Sequence, residues 1–342
     1  MSAGNTGAIC RAVVLKRRLF GRSAEAIGGF FAGRNMTRPL FLAYAALGAI
    51  CLIWGTTYTV IKIALRDFPP YLLVGIRQTA AGLLLLAWAI GRGYTTTWAL
   101  LPLAERKRYL WRQALTGLCT ISGGNGLITW GMQEVSSGLA AVIGSLTPVV
   151  VVLINLAWRG TERVNAQVMS GVLLGFAGLG LVFREGWADF LHPAYRWGIG
   201  ACFGSCFTWS LGTVMAKRWN DARLSPVLNA GMQVTAGGLG GFVLSVWFDP
   251  LRAVAHTTEG WASVAYLAVV GSAVAFSLYM FVLQHLSAAV SSLYTYINPV
   301  VAILLGWLFL GERLSAVEGL GMFIAVVGVW LVNYGQRTSV VR

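Results

Sequence analysis

The chain has 342 residues, 57% of them hydrophobic and only 11% charged, with a mean hydropathy of +0.69. A soluble domain carries about 25% charged residues, so this chain cannot cover its surface with charge, and lipid is its solvent. Its net charge of +14 would suit a nucleic-acid partner, but the placement of the basic residues excludes that use.

In chain order, residues 1–39 come first as a basic tail. Up to Arg38 it holds seven Lys or Arg and one acid, and no apolar stretch leads to a small-residue cleavage site. It reads as a disordered cytoplasmic segment. Met36 directly precedes "TRPLFLAYAALGAI", a natural opening for a membrane chain, so residues 1–35 are expected to be an optional extension. Windows of about 20 apolar residues then mark ten spans. The first five are 40–65, 71–90, 111–130, 135–158 and 167–183; the second five are 197–215, 225–248, 261–283, 288–310 and 316–334. Residues 335–342 close the chain as a second cytoplasmic tail. Every connection is short, so function is expected within the bundle or at its rims.

On alternate sides of these spans, Lys and Arg number 19 on the side of the N-terminus and five on the other. This positive-inside bias places both termini in the cytoplasm of a cell (inner or plasma) membrane and accounts for the basic charge without nucleic acid. Cys51, Cys119, Cys202 and Cys206 fall inside spans with no CxxC or other metal spacing, and read as small apolar residues. His192, His256 and His285 lie in loops or at helix ends, and the spans are read as free of Asp and Glu. That excludes a carboxylate relay and the buried acid–base constellation of an intramembrane enzyme. There is also no GxxxxGK[ST] loop through which ATP could act. No enzyme activity, cofactor or metal is therefore expected.

The chain contains itself twice. "VSSGLAAVIGSLTPVVVVLINLAWRGTERV" begins at Val135, and "LSAAVSSLYTYINPVVAILLGWLFLGERLS" begins at Leu286. At a shift of 151, Gln133 meets Gln284 and Pro148-Val149-Val150 meets Pro299-Val300-Val301. After one inserted residue Glu162-Arg163 meets Glu312-Arg313, and Gly171 and Gly178 meet Gly321 and Gly328. Gly75-x-x-x-Thr79-Ala80-x-Gly82-Leu83 recurs as Gly231-x-x-x-Thr235-Ala236-x-Gly238-Leu239, and the pair Trp54 and Lys62 recurs as Trp209 and Lys217. Residues 40–183 and 196–334 are thus two repeats. Each holds an odd number of spans, so the two must sit inverted in the membrane.

"CLIWGTTYTVIKIAL", "PPYLLVGIRQTAAGLLLL", "SSGLAAVIGSLTPVVVVL" and "NPVVAILLGWLFLGERLS" together resemble the EamA branch of the drug/metabolite transporter superfamily, from about Leu40 to Tyr334. "GGNGLITWGMQEVSSGLAA" is similar to a metabolite- or drug-exporter subgroup. The resemblance implies an all-α membrane fold of ten helices, two inverted five-helix repeats, around a central cavity walled by spans 1, 3, 4, 6, 8 and 9. The chain departs from the family's Gly-Glu-Arg at Gly160-Thr161-Glu162-Arg163, where a Thr is inserted.

Helical spacing selects the candidate cavity residues. Ser287, Ser291, Tyr294 and Asn298 share one face of span 9, with Thr295 beside them. Ser122, Asn125, Thr129 and Met132 share one face of span 3. A polar stripe facing lipid is costly, so each must face protein or a watery cavity. The alternative to cavity lining is interhelical hydrogen bonding, worth about 0.6–2 kcal/mol each. Gly123-Gly124 would let a backbone or ligand approach Asn125 closely. Span 8 offers Ser272, Phe276 and Tyr279, whereas span 4 presents the small face Ser137, Ala141, Gly144 and Ser145. Trp54, Tyr58 and Trp209 lie at mid-membrane depth, away from the interfacial belt. They could stack on a substrate or simply pack.

Lys62 and Lys217, near opposite membrane faces, are assigned to structure or gating. Pro148 and Pro299 are expected to bend spans 4 and 9 alike. Arg77, whose repeat mate is the neutral Gln233, is read as a structural cation held by backbone carbonyls. Its rival role is attraction of a substrate carboxylate.

The expected function is a secondary transporter that exports amino acids, other small metabolites or toxic compounds by alternating access. An importer or exchanger of a similar solute is the runner-up. A non-transporting receptor or scaffold is the alternative from another class, and an intramembrane enzyme a weaker third. The partners are a small-molecule solute and the lipid bilayer, with no nucleic acid; association into a homo-oligomer is left open.

Overall fold

The computed structural model describes residues 38–135, 140, 143–158, 165–182, 196–249, 254, 257–301 and 316–340. The basic tail with Met36, and the loop motifs at Gly160–Arg163 and Gly311–Arg313, lie outside these residues. The chain divides into the units Met1–Leu42 and Ala43–Arg342; of the first, only the opening of a helix is described.

Among the described residues all regular structure is helical. α1 is Arg38–Ala64 and α2 is Pro70–Gly91. α3 runs without a gap through Leu103–Gly117, a π-helical Leu118–Asn125, and Gly126–Gly131. α4 is Thr147–Ala157 and α5 is Ala166–Val182. The second half repeats the order with α6 at Arg196–Arg218 and α7 at Pro226–Phe248. α8 joins Thr258–Tyr266, a π-helical Leu267–Val274, and Ala275–His285. α9 comprises Ala288–Ser291 and the helical residues 294–301, and α10 is Ala316–Val340. Five of these stretches, α1, α2, α6, α7 and Thr258–His285, are long and apolar enough to cross a membrane, and shorter apolar helices accompany them.

Local sequence explains the helix starts. Pro70 and Pro226 open α2 and α7, where a missing N–H costs nothing. The Asp249 carboxylate accepts from the Tyr71 and Leu72 amides (3.0 and 2.8 Å), closing the start of α2 with the negative charge a helix N-terminus favours. Ser225 and Thr257 cap α7 and α8 with their own hydroxyls. α10 carries Glu318 in its first turn. The expectation that the spans are free of Asp and Glu is therefore corrected at that one position.

Packing is organised by reciprocity. α2 runs antiparallel against α7 along their small residues. A Cβ on Gly82 would collide with Thr235, and one on Gly238 with Thr79, at 2.5 Å from the partner's backbone nitrogen in both cases. Gly75 abuts Phe242 while Gly231 abuts Leu86. α5 and α10 do the same: Gly178 meets Gly321 and Ala325, and Gly328 meets Gly171 and Gly175. Residue i touching j′ while i′ touches j is the mark of a two-fold relation. Because the equivalent helices cross antiparallel, that axis lies across them, as in an inverted repeat. Glycine is required at these crossings because backbone approaches backbone.

Spans 4 and 9 are both interrupted upstream of the prolines expected to bend them. Pro148 sits in the first turn of α4, directly after a turn at Ser145 and Leu146 that separates it from the helical residues 143 and 144. In α9 the interruption falls at Ser292 and Leu293, upstream of Pro299, and is bridged by short-range bonds such as Leu293 N to Val290 O (3.1 Å).

Candidate functional site

Between the repeats, α1, α2, α3, α4, α6, α8 and α9 converge on a cavity of about 90 Å³. Trp54 and Trp209 stand in it edge to face, with ring centroids 5.6 Å apart. They are repeat mates, so the pair straddles the two-fold relation. Tyr294 packs on Trp54 at 4.5 Å, and Tyr279 backs the cluster at 5.4 Å from Trp54 and 5.9 Å from Trp209. Small residues admit these rings. A Cβ on Gly124 would lie 2.8 Å from the Trp209 ring, and one on Gly123 would press on Thr208. The Gly123-Gly124 pair thus accommodates a partner helix. Trp54 Nε1 donates to the Gly271 carbonyl (3.0 Å) inside the π-helical part of α8.

Of the stripe residues, Asn125, Met132, Tyr294, Thr295 and Asn298 line the cavity, as do Tyr58 from α1, Ser272 and Phe276 from α8 and Gly144 beside α4. With its amide nitrogen facing the two carbonyls, Asn298 donates to Tyr294 O and Cys51 O, both at 3.0 Å, tying α9 to α1. Other expected members, Thr129, Ser145 and Ser287 among them, lie off the lining. Ser122 donates to the Gly237 carbonyl (2.7 Å) and binds α3 to α7. Tyr279 is fully buried behind the tryptophans, its hydroxyl paired with Thr213 (2.6 Å). Ser291 is fully buried, ahead of the interruption in α9. Ser137 and Ala141 of the small face lie outside the described residues.

The two lysines are structural mates. Lys62 Nζ donates to Met132 O (2.5 Å) and Val135 O (3.1 Å), at the end of α3. Lys217 Nζ donates to Leu283 O and Leu286 O (both 2.7 Å), at the end of α8. The acceptors are equivalent at the shift of 151. Each ammonium neutralises the negative end of a helix dipole and clamps the first helix of its repeat to the third.

These observations form one pattern: two-fold related helices, an aromatic pair on the relation, and a cavity between them lined by aromatic, aliphatic and polar side chains. The EamA-like transporter family profile matches the chain twice, over residues 41–184 and 196–334. The chain belongs to the EamA-like transporter family. Among curated relatives it is 33% identical over 303 residues to the "Uncharacterized inner membrane transporter YedA" of Escherichia coli K12, spanning 87% of this chain and 93% of that protein. Protein PecM of Dickeya dadantii is 29% identical over 294 residues, 85% of this chain and 93% of its own length. A solved crystal structure superposes with a TM-score of 0.70 at 20% identity, covering 86% of this chain and 98% of its own, which shows a shared fold.

Within this EamA frame Arg77 is the residue that spacing misjudged. It is 2% exposed, borders the cavity, and is held by side chains where backbone carbonyls were expected: Nη2 donates to Asn125 Oδ1 (3.1 Å) and Nη1 to Ser272 Oγ (3.4 Å). Its acceptors come from the π-helical parts of α3 and α8. The neighbouring Gln78, also 2% exposed, borders the cavity with its Oε1 unpartnered among the described residues. Gln233, the mate of Arg77, instead donates to Gln113 Oε1 (2.6 Å), away from the cavity.

Proposed function

We propose that this EamA protein carries a small metabolite across the inner membrane by alternating access, in the outward direction, through ten spans with both termini in the cytoplasm. The observation that carries the reading is the reciprocity of packing around the central cavity. If each half holds a conformation the other can adopt, exchanging them moves the opening from one face to the other while the Trp54–Trp209 pair stays central. The cavity of about 90 Å³ holds roughly three waters, well below the ~300 Å³ of a typical ligand site. A solute of metabolite size must therefore part the aromatic cluster to enter. Outward direction follows the resemblance to metabolite exporters, and the orientation follows the 19-to-five bias of basic residues.

The test is counterflow in proteoliposomes preloaded with unlabelled amino acids or small organic acids, with and without a pH gradient. Accumulation of label for at least one solute is expected. Monodisperse protein that accelerates no exchange across the panel overturns transport. Accumulation only against an outward orientation overturns export alone.

A further inference from the structure

We propose that the central cavity binds a small organic monoanion, a carboxylate carried on a flat apolar body, with Arg77 as its charge partner. This rests on the transport reading above and names the class of solute.

The charge is the first observation. Arg77 is a full positive charge, 2% exposed, eight residues into α2, and no carboxylate among the described side chains lies within ion-pairing distance. Of the five N–H groups of a guanidinium, two reach acceptors here, both neutral, and Nε has none. A buried arginine held only by an amide and a hydroxyl is under-compensated. The cavity it borders is where a counter-charge can arrive. The planar fork of N–H donors matches a carboxylate.

The walls narrow the class. Among the described lining residues Arg77 carries the one charge; Lys62 is committed to the α3 carbonyls and Lys217 to those of α8. One positive charge balances one negative charge, so a phosphate dianion would leave the second uncompensated. A cation would share the cavity with the guanidinium, and a zwitterion's ammonium would find only neutral acceptors such as Thr295 and Asn298. On the same lining, Trp54, Trp209 and Tyr294 offer aromatic faces and edges to a flat ring.

The asymmetry between the repeats points the same way. Packing contacts are duplicated across the halves, yet the mate of Arg77 is the neutral Gln233, whose Nε2 donates to Gln113 outside the cavity. A scaffold role would serve both halves, whereas a ligand needs one charge on one side of a shared cavity.

The experiment is isothermal titration calorimetry on the full-length protein in detergent at neutral pH. The probes share a ring and differ in charge: phenylacetate, phenylalanine and phenethylamine. Phenylacetate is expected to bind at least tenfold more tightly than phenylalanine, and phenethylamine weakest. Equal affinities, the reverse order, or no saturable binding of phenylacetate overturn the proposal. This comparison needs no variant and so survives any folding defect. In Arg77→Gln, checked for monodispersity, phenylacetate affinity is expected to fall tenfold or more and the preference to collapse, with Arg77→Lys between. Unchanged affinity in a folded Arg77→Gln also overturns it. Binding without exchange in proteoliposomes would sink the transport reading and leave the anion site standing. Exchange without charge preference would do the reverse.

Discussion

Arg77 and Gln233 occupy equivalent positions on α2 and α7, two helices that pack on one another through matched glycines. Around them the halves agree closely: Gly82 on Thr235 mirrors Gly238 on Thr79, and Lys62 mirrors Lys217 down to the acceptor carbonyls. At the cavity they part. Arg77 borders it and Gln233 does not, and Tyr294 and Asn298 stand where the first repeat has Ile143 and Thr147. Duplication therefore governs the contacts that hold the bundle and the central Trp54–Trp209 pair, and divergence governs the polar and charged groups around that pair.

The comparison can be broken by making the halves alike in the wrong place. Gln233→Arg buries a charge with no counter-charge beside it and should cost about 3–5 kcal/mol, read as loss of folded protein in SDS-titrated unfolding. A tolerated arginine there would mean that α7 meets water. Gly82→Val and Gly238→Val should each cost up to about 3 kcal/mol by overpacking, and by similar amounts. A large difference between the two would sink the reciprocity.

Lys62→Met and Lys217→Met each remove two charge-assisted bonds, about 1.5–3 kcal/mol apiece; similar shifts in the unfolding midpoint are again expected. Arg77→Gln should be the mild member of the series. Exchanging an under-compensated charge for a neutral group should leave stability within about 1 kcal/mol of wild type or raise it, even as anion binding falls. A severe stability loss would return Arg77 to the scaffold.

The smallest effect belongs to the loops. Asp221 is held below the usual carboxylate range, chiefly by the Arg223 side chain that hydrogen-bonds it. A lowered folded pKa contributes stability above the ordinary Asp value and loses it as pH falls through the folded one. Asp221→Asn should therefore lower the unfolding midpoint slightly at neutral pH and not at all in strong acid.

The glycine crossings, the paired lysines and the repeat itself were readable because each is a sequence identity at a fixed shift. The cavity was only half readable, for a geometric reason. Ser122 and Asn125 share a face only if the helix keeps 3.6 residues per turn, but Leu118–Asn125 is π-helical and more widely wound. Ser122 turns to α7 while Asn125 faces the cavity. In α9 the interruption at Ser292 and Leu293 shifts the phase in the same way, removing Ser291 from the stripe that keeps Tyr294 and Asn298. The acceptors of Arg77 were misread as backbone carbonyls because Asn125 and Ser272 sit on these irregular stretches, which hydrophobic periodicity does not register.

Those irregular stretches have a mechanical meaning. The π segments of α3 and α8 start at Leu118 and Leu267, nearly equivalent places in the two repeats, and they hold Asn125 and Ser272, the two groups that grip Arg77. A π turn is a surplus residue stored in a helix. Like a dislocation in a crystal, it can glide by exchanging one hydrogen-bond partner for the next, re-aiming each side chain it passes without unwinding the rod. One such segment in each repeat, each holding one of the groups that grip the buried charge, puts a stored residue on both sides of Arg77.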